Sequence, residues 1–364
     1  MPLVPSALKP SLNWLMPLVP AAIVLHYAAP EAHVWGFALA GFAIVPLAGW
    51  MGKATEHLAD RTGEGIGGLL NASFGNMAEI IIAIMALREG LTEIVKASLT
   101  GSIIGNALLI LGVSMLGGGL KFKVQKYNPA GARTRATQLT LAAIALVIPA
   151  VYHQLAGAYG GELREGALSL EISALLIVVY GLALVFSLHT HTRYFTREAA
   201  EAGRLEASHA AWSLRRSLIV LIGATAVVSW LAEILVSSVE PAAEALGMTE
   251  VFVGVIVIAI VGNAAEHSTA ILMALQDRMD LALGIAIGSA TQIALFAAPV
   301  LVFLSYAIGP EPMDLVFTPA EVVAIGLCVL IVGQVAEDGE SNWLEGVQLL
   351  AVYLILALMF YFLP

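Results

Sequence analysis

Long apolar runs fill most of the chain, and polar residues gather in the short intervals between them. A membrane-crossing helix needs roughly 20 largely apolar residues. On that rule the pattern predicts about 11 transmembrane helices, over 13–29, 33–60, 63–88, 91–118, 136–153, 167–190, 212–240, 249–276, 280–308, 319–336 and 343–363. Several exceed the minimum, so tilting or projection beyond the bilayer is expected. The fold class is an all-α polytopic membrane protein. The most polar interval, 191–211 (THTRYFTREAAEAGRLEASHA), divides the spans and reads as a short cytoplasmic helix.

Two stretches interrupt the apolar pattern in the same way. One reads SFGNMAEIIIAI around Glu79 and the other IVGNAAEHSTAI around Glu266, 187 residues later. The same offset pairs Gly67 with Gly254, Asn76 with Asn263, Gly101 with Gly288 and Ser102 with Ser289. A shared offset across separate motifs marks an internal duplication. The expected domains are a leading helix (1–32), a first five-helix repeat (33–190), the linker (191–211) and a second five-helix repeat (212–364). Five is an odd number of crossings, so the second repeat enters from the opposite face. Inverted repeats of this kind are the architecture of many secondary transporters.

Composition agrees and narrows the class. Of 364 residues, 59% are hydrophobic and 12% charged, and the mean hydropathy is +0.88; a soluble domain carries roughly 25% charged residues. The net charge of −10 argues against a nucleic-acid partner, leaving the lipid bilayer as the surrounding medium, and a homo-oligomer is compatible with the pattern. A single cysteine, Cys328, excludes an internal disulfide or a cysteine metal site. The N-terminal stretch has neither the charged region nor the cleavage site of a secretory signal, so the first apolar run is expected to stay as a span.

Basic residues orient the spans. Lys121, Lys123, Lys126, Arg133 and Arg135 follow span four, and Arg193, Arg197, Arg204, Arg215 and Arg216 follow span six. Lys9, Lys53, Arg61 and Arg278 fall on the same side; only Arg88, Lys96 and Arg164 fall opposite. The positive-inside rule makes the basic side cytoplasmic, with the N-terminus inside and the C-terminus outside.

An ionisable residue inside a span is costly and is read first as functional. Asn76 and Glu79 are three apart on one helix face, as are Asn263 and Glu266. Gly75 and Gly262 stand before them, where a helix break would free carbonyl oxygens. Carboxylate, amide and carbonyl oxygens together suit a hard cation such as Ca²⁺. Glu79 and Glu266 are therefore the expected metal ligands. Ser102, Ser289, Asn106 and Gln292 on spans four and nine are further candidates for the ion path, with helix packing as the other reading of their glycine neighbours. His267 is read either as a proton relay or as a packing histidine. Glu56 marks the cytoplasmic end of span two, and Glu240 answers it near the outer end of span seven. Glu233 lies within span seven, where depth alone would bury it.

The doublet GNMAE and GNAAEH, followed by GSIIGNALLILG and GSATQIALFAAP, resembles the calcium/proton exchanger family of the calcium/cation antiporter superfamily. The resemblance covers essentially the whole chain. It implies Ca²⁺ export driven by inward proton movement, with Glu79 and Glu266 as the central carboxylates. Asn76, Asn263, Ser102, Ser289 and Gln292 would belong to the surrounding motifs, and Ca²⁺ and H⁺ are transported ions rather than cofactors. Gly105 departs from the pattern, where a serine is often found. The linker is not the strongly acidic helix of eukaryotic members, which points to a prokaryotic cytoplasmic membrane. Burial disfavours a charged carboxyl and a nearby divalent ion favours it, so the pair is expected to hold either Ca²⁺ or protons.

Three rivals are weighed. Sodium-coupled exchangers share the repeats but usually show Pro-Glu where this chain has Ala78-Glu79 and Ala265-Glu266. A cation channel would also use acidic midplane motifs, whereas inverted repeats favour alternating access. An intramembrane zinc enzyme needs histidines four apart beside a glutamate, and Glu56-His57 and Glu266-His267 lack that spacing.

Overall fold

The computed structural model describes residues 12–62, 70, 74–159, 164–192 and 212–363. The linker at 193–211, the first part of span three with Gly67, and residues 1–11 lie outside the described residues.

Thirteen helices organise the described chain: α1 (Leu18–Ala28), α2 (His33–Thr62), α3 (Met77–Arg88), α4 (Thr92–Phe122), α5 (Pro129–Tyr159), α6 (Glu165–Thr190), α7 (Leu214–Ser237), α8 (Val239–Leu246), α9 (Glu250–Gly262), α10 (Ala264–Ala274), α11 (Met279–Ile308), α12 (Pro319–Val335) and α13 (Trp343–Phe362). Seven of them are long and apolar enough to cross a membrane, or eight if α8 and α9 form one bent span. The helical class is as expected. One two-stranded ribbon departs from it: β1 (Val124–Lys126) pairs antiparallel with β2 (Glu340–Asn342) and ties the first half of the chain to the second. Tyr127 beside the ribbon donates its hydroxyl to the Val335 carbonyl at 2.7 Å. Burial and nearby carboxylates push this phenol upward, so it remains a donor across the physiological range.

Three boundaries differ from the sequence reading, each for a local reason. Span seven ends at Ser237 and a separate helix, α8, follows; Pro241 cannot donate to the carbonyl four residues back, and its ring clashes there. α8 and α9 then meet at a bend of 112°. Span eight divides at Asn263, whose φ of −91° and ψ of 4° leave the helical region. The helix α5 begins at Pro129, well before the predicted 136, because Asn128 receives the first-turn amide of Ala130 on its side chain.

The helices α4 and α9 pack backbone to backbone. A Cβ on Gly101 would sit 1.9 Å from the Val255 carbonyl oxygen, and one on Gly254 would sit 2.6 Å from the Ala97 Cβ. Small residues are what allow such an approach inside a membrane. Both glycines are thus packing residues, and they lock together the helices that lead to the centre. Wide π-helical turns occur in α4 at Gly105–Ile110, in α9 at Val253–Ile258 and in α11 at Ile293–Ala297. Such turns recur at functional sites because they re-aim the side chains beside them.

Candidate functional site: a crossed ring of amides around two glutamates

Asn76 and Asn263 each stand at a helix start, the first before α3 and the second between α9 and α10. Neither side chain caps its own helix. Each turns instead to a helix of the other half. Asn76 donates to Gln292 Oε1 at 2.9 Å and accepts from the Ser289 hydroxyl at 2.8 Å. Asn263 donates to the Ser102 hydroxyl at 2.9 Å and accepts from Asn106 Nδ2 at 2.9 Å. The two clamps therefore have one composition: a motif asparagine, a serine and a second amide from the opposite half. Asn106 also donates to Ser289 at 3.2 Å, which links them. The π turns start at Gly105 and Ile293, beside Asn106 and Gln292, and set where those amides point.

The glutamates lie inside this ring. Glu79 packs on Gly262, four residues before Glu266, and the two carboxylates are close enough to repel. Glu266 abuts the Ser289 hydroxyl. Glu79 Oε1, Glu266 Oε2 and Asn106 Oδ1 are buried acceptors without a hydrogen-bond donor. Three converging motifs thus expose only lone pairs. A buried acceptor left unpaired costs on the order of 1–3 kcal/mol, more if charged, and a proton or a cation removes that cost. The asparagine carbonyls themselves are taken, because Asn76 O receives Ile80 N and Asn263 O receives His267 N.

A cavity of about 480 Å³ reaches Glu266 from the ends of α5 and α6. Its walls carry Arg135, Gln138, Ser187, Thr291, Gln292 and Ser289, with Gly75, Gly284 and Gly288 among the lining. A Cβ on Gly288 would meet nothing within 4 Å, so this glycine contributes space rather than packing.

A scan of protein families matches the sodium/calcium exchanger protein family over residues 32–189 and 216–362. The chain belongs to that family. It is 46% identical over 350 residues to a Ca²⁺/H⁺ antiporter of Synechocystis sp., covering 91% of this chain and 92% of the relative. It is 47% identical over 328 residues to a Ca²⁺/H⁺ antiporter of Bacillus subtilis, covering 90% and 92%. The solved structure of native YfkE superposes with a TM-score of 0.80 at 42% identity, covering 96% of this chain and all of that one.

Within this family member the ring gathers Glu79, Glu266, Asn76, Asn263, Ser102, Ser289 and Gln292, together with Asn106. His267 is buried beside them with Nε2 unpaired. Glu56 and Glu240 are elsewhere. Glu56 is exposed near the end of the continuous α2, whereas Glu240 is exposed in the first turn of the separate α8. The chain breaks before Glu240 and not before Glu56, so the two carboxylates stand in differently built segments. Glu233 is exposed on α7, along the same face as Ile222 and Trp230, and is not buried by its depth.

Lys96, counted from the sequence on the outer side within span four, is buried in α4, 2.7 Å from Glu93, 3.3 Å from Asp314 and 2.9 Å from the Val316 carbonyl. One turn further on, Thr100 donates to the buried Glu321 at 3.1 Å. The sequence carried a faint signal for this tie: Lys96 and Thr100 share a helix face, four apart, in an otherwise apolar run.

Proposed function

We propose that this protein is a secondary active antiporter that exchanges cytosolic Ca²⁺ for protons by alternating access, with Glu79 and Glu266 as its central carboxylates. The observation that carries the reading is the set of three buried, unpaired acceptors at the crossing of the two motifs. Two of them are carboxylates, and a hard divalent cation is bound by such oxygens. The names of the bacterial relatives point the same way.

The architecture we assign is one leading helix followed by two inverted five-helix repeats, eleven crossings in all. Its support is the crossed ring, in which the motif asparagine of each half meets the serine of the other, Asn76 with Ser289 and Asn263 with Ser102. The basic side is taken as cytoplasmic. Ca²⁺ then rises through the cavity between α5 and α6, and Glu266 is the carboxylate it meets from that side. Loading neutralises the repulsion between the two glutamates. After the carrier turns, protons replace Ca²⁺ at the same oxygens and let the pair return without it. Sodium coupling has less support here, since Ala78 and Ala265 precede the two glutamates.

The test is Ca²⁺ uptake into proteoliposomes under an imposed pH gradient, with and without a Na⁺ gradient. Uptake should follow pH, ignore Na⁺ and disappear in Glu79→Gln and in Glu266→Gln. Normal transport by both variants would remove the carboxylates from the mechanism.

A further inference from the structure

Trp50, Lys53, His57 and Arg61 fall three or four apart and share one face of α2 near its end, on the basic side of the bundle. Trp212, just before α7, lies across that face. Its ring is 4.9 Å from His57 and 6.0 Å from Trp50, centroid to centroid. Its carbonyl accepts from Arg61 Nε at 3.0 Å and from Arg61 Nη2 at 2.7 Å. From α7, Arg216 stacks its guanidinium 4.3 Å from the centroid of the same ring. Trp212 thus gathers two guanidiniums. Among the described residues neither is paired with a carboxylate, nor are the exposed Lys53 and Arg215. Like charges brought together without a counter-ion repel. A guanidinium stacked on a ring keeps its edge donors for a phosphate, and Arg61 holds more donors than the Trp212 carbonyl takes.

We propose that this joint between α2 and α7 is a binding site for an anionic phospholipid, whose phosphate is taken by the edges of Arg61 and Arg216. Lys53 and Arg215 add charge around it. Two observations select a lipid over a soluble anion. Indole rings favour the boundary between bilayer and water, so Trp50 and Trp212 set the cluster at headgroup depth. An apolar track also leaves from the same point: Arg215, Leu218, Ile219 and Ile222 share one face of α7, and all four are exposed. An acyl chain lying along that face buries apolar surface that a free phosphate cannot. A headgroup held here bridges α2 to α7 and stabilises the folded chain by mass action. Arg133 supplies the natural comparison: it is an exposed arginine of the same basic side, 4.0 Å from Glu337 and away from both tryptophans.

The experiment titrates the purified full chain, in a neutral detergent, with phosphatidylglycerol, phosphatidylcholine or inorganic phosphate while thermal unfolding is followed. Phosphatidylglycerol should raise the midpoint, and the other two at equal concentration should not. The phosphatidylglycerol needed for half of the full rise should increase about fivefold in Arg216→Gln. Arg133→Gln should leave it unchanged, and high KCl should weaken the wild-type response by screening. Arg216 also packs on Trp212, so the quantity read is the lipid-dependent rise and not the starting midpoint. Equal rises with phosphatidylglycerol and phosphatidylcholine would overturn the inference, since no headgroup is then recognised. A rise with inorganic phosphate would do so too, by making this a site for a free anion. An unchanged half-rise in Arg216→Gln, or an equal increase in Arg133→Gln, would leave only general surface charge. Should Arg216→Gln not fold, Arg215→Gln is read in its place, because that exposed side chain has no hydrogen bond or ion pair among the described residues.

Discussion

Glu79 lies across Gly262: a Cβ on that glycine would stand 2.9 Å from Glu79 Cγ and 3.4 Å from its Oε1. The acidic residue of one motif thus uses the absent side chain of the other. Gly262→Ala should displace the Glu79 carboxylate while leaving the fold intact, because the conflicting atoms belong to a side chain. The expected result is at least a tenfold loss of Ca²⁺ uptake with a thermal midpoint within a few degrees of wild type. Full activity in Gly262→Ala would show that Glu79 works from another position.

Gly101 and Gly288 stand at the shared offset of 187 residues but should respond oppositely to alanine. At Gly101 the added carbon meets backbone at 1.9 Å, which α4 and α9 cannot avoid without moving apart. Overpacking of this kind costs roughly 1–3 kcal/mol or more, and Gly101→Ala should lower the midpoint of thermal unfolding in detergent. Gly288→Ala meets open space and gains helix propensity of up to about 1 kcal/mol. Equal destabilisation by both would refute the assignment of one to packing and the other to the cavity.

Asn106 and Asn263 should be energetically coupled. They share a 2.9 Å hydrogen bond, and both also hold other members of the ring. Replacing either by alanine strands buried polar partners, so each single variant should lose Ca²⁺ affinity. The double variant should lose less than the sum, with a coupling of roughly 0.5–3 kcal/mol. Strict additivity in a double-mutant cycle of Ca²⁺ binding would mean that the two amides act independently.

Lys96 should matter for stability and little for ion binding. Its ammonium joins α4 to the segment before α12, and removing one partner of a buried ion pair typically costs about 3–5 kcal/mol. The half-exposed Glu93 can rehydrate, so Lys96→Met should fall at the low end of that range. Thermal unfolding of the purified protein would register the loss. A fall in Ca²⁺ affinity without a change in stability would instead place Lys96 in the transport path.

The sequence by itself determined the membrane class, and it set out the repeated offset and the two glutamates as expectations. Each is a local property: apolar length sets where helices can lie in a bilayer, and an offset of 187 residues survives in the chain whatever its shape. The asparagines and serines were legible as candidates for the same reason, since a polar side chain in an apolar run is costly unless a partner or an ion meets it. What only the tertiary structure decided is who pairs with whom. Asn76 answers to Ser289 and Gln292, and Asn263 to Ser102 and Asn106, across more than 150 residues of chain. Hydropathy carries no information about such partners, because it scores each residue alone. It could not show that the Lys96 ammonium is buried against Asp314, and it placed Glu233 in the interior, yet that carboxylate faces outward. Depth along a helix is written in the sequence; which side of the helix meets a neighbour is settled by packing.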